Sequence, residues 1–214
     1  MRKRVLILLG PPGAGKGTVG NSLSKQWGIP IISSGDILRE HLKANTDIGN
    51  IAKKYVESGE LVPDDVVEGM IADELKKTIY ANGFIIDGFP RTVNQAKMLD
   101  KIIENTNTKV LYLKADDDFL VNRLSKRRVC EGCGKTYHLI NISPQKEGIC
   151  DICGGKLIQR ADDREDVVRR RLAAYKELTT PLIEYYDRKK ILFSVNGNGE
   201  LIDTLTEIKK TFEW

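Results

Sequence analysis

Gly10-Pro11-Pro12-Gly13-Ala14-Gly15-Lys16-Gly17-Thr18 is the stretch on which the reading of this chain turns. The apolar residues 5–9 before it have the length of a buried strand, and Val19, Leu23 and Trp27 after it recur at helical spacing. Strand, glycine-rich turn and helix together are the context of a phosphate-binding loop. Small residues let the backbone curl so that several N–H groups face one hollow. The first turn of the following helix adds its partial positive charge. Lys16 supplies a full charge that can reach terminal phosphates, and the Thr18 hydroxyl is placed to help hold Mg²⁺. The alternative, a plain glycine-rich turn between two core elements, does not explain so many constrained positions in one run.

Outward from the loop, short apolar runs alternate with helical patterns. Strands are expected over residues 29–32, 84–87, 110–113 and 191–195. Helices are expected over 16–27, 36–43, 92–105, 116–127 and 201–212. Another runs from 163 to about 186, with Pro181 as a kink or restart. Ser33 and Ser34 suit an N-cap, and so does Thr46 for a helix that Ser58-Gly59 closes. Pro63 opens a further helix, with Asp64 and Asp65 in its first turn, where negative charge suits the dipole. Such alternation predicts an α/β fold, a parallel sheet covered on both faces. Residues 33–62 and 128–162 stand outside it, as insertions on the ligand edge of a core made of 1–32, 63–127 and 163–214.

Composition excludes several classes. At 214 residues, with 41% hydrophobic and 30% charged residues, the chain suits one soluble core with small insertions. A net charge of +4 fits anionic substrates but is too weak to argue for nucleic acid alone. No run of 18 apolar residues occurs, so no membrane span is expected. The apolar run after Arg2-Lys3-Arg4 is too short for a signal peptide, which leaves the cytoplasm as the expected location.

All four cysteines fall in one segment, as Cys130-x2-Cys133 and, after sixteen intervening residues, Cys150-x2-Cys153. Each pair is followed by glycine. Two such turns make a tetrahedral four-sulfur zinc site, closed and therefore structural. Two disulfides are the alternative, which a reducing cytoplasm disfavours. A segment this small buries little core, and the metal replaces one. His138 lies nearby, but four sulfurs complete the shell, so a packing or solvent-facing role suits it better.

Helical projection sorts the arginines. At about 100° per residue, Arg171 falls within a stripe of Val167, Val168, Ala174, Tyr175, Leu178 and Leu182, while Arg169 and Arg170 face away. A charge centred on an apolar stripe needs a phosphate or a buried carboxylate beside it. The same projection puts Arg123 and Arg127 beside Leu120 and Leu124, and leaves Lys126 and Arg128 solvated. Asp87 ends an apolar strand, where a carboxylate can orient Mg²⁺ through water or serve as a turn residue. Asp162 and Asp163 could hold the neighbouring arginines, latch a hinge, or cap a helix.

Asp87-Gly88-Phe89-Pro90-Arg91-Thr92, with Gln95 three further on, resembles the signature of the adenylate kinase family. The Lys16-Gly17-Thr18 form also resembles nucleoside monophosphate kinases more than GTPases. With Ser33-Ser34-Gly35-Asp36, the four cysteines and the Arg160…Arg171 spacing, the likeness spans nearly the whole chain and is closest to the long, zinc-containing bacterial-type form. The resemblance implies the reaction Mg-ATP + AMP ⇌ 2 ADP, serving adenine nucleotide balance. It implies a five-stranded parallel core, an AMP-binding insertion over 33–62 and a zinc-ribbon lid over 128–162. It implies that Gly13, Ala14, Gly15, Lys16, Gly17, Thr18, Arg123, Arg127, Thr136, Tyr137 and Gly199 bind ATP. AMP would be held by Ser34, Arg39, Glu60, Leu61, Val62, Gly88, Phe89, Pro90, Arg91, Gln95, Arg160 and Arg171. Ser34 stands where Thr is more usual and keeps the hydroxyl. A monomer follows from the resemblance alone.

The chemistry needs no general base, because the attacking phosphate oxygen is already anionic; His41 and His138 are not required for it. Lys16, Arg91, Arg127, Arg160 and Arg171 bring two anions into line, with Asp87 beside them, and a lid excludes water. Two other readings remain. One is a nucleic-acid-binding ATPase with a gripping zinc ribbon, which the lack of a basic, aromatic stripe disfavours. The other is a kinase for UMP, CMP or GMP. A GTPase is disfavoured because Asn-Lys-x-Asp is absent.

Overall fold

In the computed structural model, which describes residues 2–140, 142–199 and 201–211, the strand before the loop is β1 (Arg4–Leu9). Its alternation sets the layering. Val5, Ile7 and Leu9 face one core, and Leu6 and Leu8 face another. The first core is closed by α3 (Asp47–Ser58), α4 (Asp64–Leu75), α5 (Val93–Ile102) and α8 (Pro181–Arg188), through Ala52, Ile71, Leu99 and Tyr186. The second is closed by α1 (Lys16–Trp27), α6 (Asp117–Ser125), α7 (Glu165–Ala174) and α9 (Leu201–Thr211), through Leu23, Leu120, Leu172 and Ile208. Each fully buried Leu or Ile contributes about 1.5–3 kcal/mol, so the central strands are firm supports for the loops at their ends.

The sheet is parallel throughout. β2 (Ile31–Ser33), β3 (Gly83–Asp87), β4 (Asn107–Lys114) and β8 (Leu192–Asn196) join β1 in the order β2-β3-β1-β4-β8. The chain leaves β1 for β2 at one edge, then crosses after β3 to the other side. A crevice opens outside the carboxyl ends where the order reverses, and residues 10–18 occupy it. After β2 comes α2 (Ser34–Lys43), capped by the Ser33 hydroxyl, which accepts from the Asp36 N–H at 3.2 Å. Thr46 and Thr92 cap α3 and α5 in the same way.

Residues 127–158 carry a second, antiparallel sheet. It runs β6 (Thr136–His138), β5 (Arg127–Cys130), β7 (Leu157–Ile158). Among the described residues its buried cluster is Cys130, Tyr137, Cys150 and Leu157.

Three boundaries depart from the sequence reading for local reasons. The helix expected over 116–127 stops at Ser125, so Arg127 opens β5 and does not extend the apolar face of α6. The long final helix is interrupted by a π turn, Tyr175–Thr179. Pro181 has no N–H to continue an i→i−4 ladder, and the Thr180 N–H bonds the Tyr175 carbonyl instead, at 3.0 Å. The wider turn shifts the phase, so Leu178 is 41% exposed and not part of the apolar stripe. β2 begins at Ile31, because Pro30 enters the sheet only as an acceptor, from the Ile85 N–H at 2.8 Å. Phe212, expected at the end of α9, lies outside the described residues.

Candidate active site

A cleft of about 790 Å³ runs from the glycine-rich loop to the cysteine segment. It is lined by Gly13, Gly15, Lys16, Gly17, Thr18, Arg123, Arg127, Thr136 and Tyr137 of the residues expected to meet ATP. Of those expected to meet AMP it is lined by Ser34, Arg39, Glu60, Leu61, Val62, Gly88, Pro90, Arg91, Gln95, Arg160 and Arg171. Asp87 lines it too. Ala14 and Phe89 are instead packed into the two cores. Gly199 is exposed, with Asp203 beside it.

Lys16 lies folded over its own loop. Its ammonium donates to the carbonyls of Gly10 at 2.7 Å and Pro11 at 2.9 Å. Burial, together with the charges of Arg91, Arg171 and Arg127, lowers its pKa to about 8 against the opposing pull of Asp87. The Asp87 carboxyl is pushed up by burial, against Lys16 and Arg91. A Cβ on Gly17 would lie 3.4 Å from Asp87 Oδ2, ordinary contact, so the carboxylate sits over this part of the loop. Gly15, at φ 94, turns the chain into α1, and a Cβ there would meet the Arg123 guanidinium at 3.5 Å.

The arginines converge from four elements. Arg171 on α7 donates to the Asp162 carbonyl at 2.9 Å and lies 3.0 Å from the Asp162 carboxylate. Arg127 holds fully buried Asp163 with two bonds, Nε to Oδ2 at 2.8 Å and Nη2 to Oδ1 at 2.5 Å. Asp163 therefore holds arginines and is not a helix cap; the N-cap of α7 is Arg164, with no side-chain bond. Burial raises the Asp162 pKa, but Arg171, Arg127, Arg39 and Arg160 more than reverse that and leave it low. Burial lowers Arg91 to about 10, helped by Arg171, and lowers Arg160 to about 10, helped by Arg39 and Arg127. Arg171 and Arg123 are lowered as well, by burial first. Arg160 has no carboxylate within ion-pair reach among the described residues. Arg169 and Arg170 do face outward, onto Glu165 and Asp166. Arg170 also donates to the Ser58 carbonyl, tying the end of α3 to α7.

Beside Arg91 lies a polar network in which Gln95 and Thr179 are buried and Asp64 and Thr92 half-buried. The Gln95 carbonyl oxygen accepts from the Arg91 N–H at 2.7 Å, and the Gln95 amide nitrogen donates to Asp64 Oδ1 at 2.7 Å. Asp64 Oδ2 accepts from the Thr92 hydroxyl at 2.8 Å. Arg91 Nε donates to the Gly88 carbonyl, and Thr179 of the π turn donates to the Arg91 carbonyl. Gly88 has φ +78, and a Cβ on it would fall 2.6 Å from Ser34 Oγ. Asp64 and Thr179 were not foreseen from the sequence. Asp64 reads there as a helix-start charge, and Thr179 is placed by a π turn that only the packing reveals.

The four cysteine sulfurs all lie within 4.8 Å of one another. Cys130 and Cys153 Sγ are 3.4 Å apart, and Cys133 and Cys150 Sγ 3.6 Å. A disulfide needs about 2.05 Å, so these are thiols. Tetrahedral zinc at about 2.3 Å from each sulfur sets them near 3.8 Å apart, which this cluster fits. Tyr137 is 3% exposed; its hydroxyl accepts from the Asp151 N–H at 2.8 Å and lies 3.4 Å from Cys150 Sγ. That side chain supports the cysteine cluster, while Thr136 before it stays exposed at the cleft.

The model of a protein family described as adenylate kinase matches residues 8–191. The chain is 49% identical over 208 residues to an adenylate kinase of Caldicellulosiruptor bescii, covering 96% of this chain and 97% of that protein. It is 47% identical to one of Caldicellulosiruptor saccharolyticus, again over 96% and 97% of the two chains. It is 46% identical to one of Archaeoglobus fulgidus, over 97% of each.

Proposed function

The chain belongs to the adenylate kinase family, and on that premise we propose how its cleft moves the terminal phosphoryl group of Mg-ATP onto AMP to give two ADP. The observation that carries the proposal is a surplus of half-buried cations that line one cleft. Lys16, Arg91, Arg160 and Arg171 all have lowered pKa values in the free protein, because burial and one another's charge disfavour the charged form. Phosphate anions reverse that sign. The groups best able to take them are Lys16, which gives up only carbonyl partners, and Arg160, which has no carboxylate within ion-pair reach among the described residues.

In this reading residues 13–18 with Arg123 and Arg127 hold the ATP phosphates, and Thr136 borders the same nucleotide. Ser34, Arg39, Glu60 to Val62, Gly88 and Arg91 surround AMP, and Gln95 reads its base. Arg160 and Arg171 span the phosphoryl group in flight. The Thr18 hydroxyl and the Asp87 carboxylate would hold Mg²⁺, whose charge neutralises the phosphates when bound. The AMP phosphate oxygen attacks as an anion, so no side chain takes a proton. Most of the rate comes from fixing two anions in line and stabilising the equatorial oxygens with cations already in place. Residues 128–162, held by zinc on the four cysteines, close over the site and keep water from taking the phosphoryl group. Residues 33–62 close over AMP. We place the enzyme in the cytoplasm as a monomer acting on ATP, AMP and ADP, without nucleic acid or membrane partners. No helix among the described residues is long and apolar enough to cross a membrane.

Reversibility tests this directly. Given only ADP and Mg²⁺, the enzyme should form ATP and AMP in equal amounts. ADP loss that yields inorganic phosphate instead would overturn the proposal.

A further inference from the structure

We propose that Asp64 is a specificity-determining positioning residue, which locks the Gln95 carboxamide in the one orientation that reads adenine and rejects a 6-oxopurine. The inference rests on the assignment of Gln95 to the AMP base. A carboxamide is nearly symmetric in shape, and its two faces differ only in which end donates. Here both ends meet partners of fixed character. The Arg91 backbone N–H can only donate, and it meets the Gln95 carbonyl oxygen at 2.7 Å. The Asp64 carboxylate accepts, and it meets the amide nitrogen at 2.7 Å. Asp64 is itself held by the Thr92 hydroxyl at 2.8 Å, and Thr92 caps the helix that carries Gln95. The carboxylate therefore cannot swing away without breaking a second bond.

Gln95 is 2% exposed yet lines the cleft, and its amide keeps one N–H and one lone pair beyond those two bonds. A donor beside an acceptor in that order matches the adenine edge, where N6–H donates and N1 accepts. Guanine and hypoxanthine present the reverse, an O6 acceptor and an N1–H donor. To read them the amide must turn over. The turned amide would set its nitrogen against the Arg91 N–H and its oxygen against the Asp64 carboxylate, leaving the buried Gln95 amide unpaired at both ends. A site built on hydrogen bonds rejects the wrong partner strongly for this reason.

The test compares AMP with inosine monophosphate, which carries the 6-oxo edge without guanine's 2-amino group, in the whole enzyme with ATP as donor. Wild type should favour AMP about a hundredfold or more in kcat/KM. In Asp64→Asn, whose side chain can donate or accept toward Gln95, the preference should fall about tenfold. The change should sit in the acceptor KM, with KM for ATP and the melting midpoint little altered. Comparable use of AMP and inosine monophosphate by wild type overturns the lock even if the variant fails to fold. An unchanged preference in a folded Asp64→Asn enzyme overturns it too. Wild type that transfers to neither nucleotide would instead remove the reading of the base site on which the lock rests.

Discussion

Asp163→Asn probes the join between the two sheets. Asp163 is fully buried and takes two bonds from Arg127, at 2.8 and 2.5 Å, with Arg171 Nη1 a further 3.7 Å away. Arg127 immediately precedes the cysteine segment and Asp163 immediately follows it, so this pair clamps both chain crossings. The amide replaces one acceptor by a donor that faces a guanidinium. Breaking one partner of a buried pair costs about 3–5 kcal/mol. The Arg127 side chain keeps 21% of its surface, so water recovers part of that and leaves a loss of roughly 2–3 kcal/mol. For a chain of this length the melting midpoint should fall by roughly 4–12 °C. Turnover should fall as well, because Arg127 loses its fixed direction. Calorimetry and steady-state kinetics on matched preparations read both effects. A midpoint within about 1 °C of wild type, with turnover intact, would refute the clamp.

Three further outcomes follow from the same geometry. The Lys16 ammonium, near 8 when free, is favoured by phosphate, so nucleotide binding should take up protons and weaken as pH rises through about 8; titration calorimetry in buffers of different ionisation enthalpy checks it, and a flat affinity across that range would contradict it. In the free protein the unfolded Lys16, at 10.5, binds more protons than the folded one, so its effect on stability is an increase with pH between about 8 and 10.5, seen in melts without nucleotide. Cys130→Ser, or thorough zinc removal, should lower the melting midpoint more than it lowers turnover at mild temperature, because the zinc proposed for the four cysteines would supplement a core of four side chains; unchanged melting after metal removal would contradict this. Arg160→Ala should lower kcat roughly a hundredfold with little change in melting, because no carboxylate is left unpaired, and an equal loss of both would show a structural role.

What could be read from the sequence was whatever rests on local pattern. The loop at residues 10–18, the strand ending at Asp87 and the paired Cys-x-x-Cys turns each carry their pattern within a few positions; in the structure the loop and Asp87 line one cleft and the four sulfurs cluster. Helical phase holds for Arg171, which lies N-terminal to the π turn, and fails for Leu178, beyond the start of that turn. Arg127 reached the cleft by a different route, from the first residue of a strand, because α6 ends two residues earlier. Contacts between distant positions left no local trace. Nothing near Asp64 shows that it meets Gln95, and Asp163 looks as much like a cap as like a clamp until Arg127 is brought beside it.

The central claim, transfer from Mg-ATP to AMP in a water-excluding cleft, is tested most directly by ADP formation from ATP and Mg²⁺ with AMP, GMP, UMP, CMP or no acceptor. Fast ADP formation with AMP, slow reaction with the other three and near silence without acceptor is the predicted result. ATP loss that is indifferent to the acceptor, and raised by single-stranded nucleic acid, would contradict it.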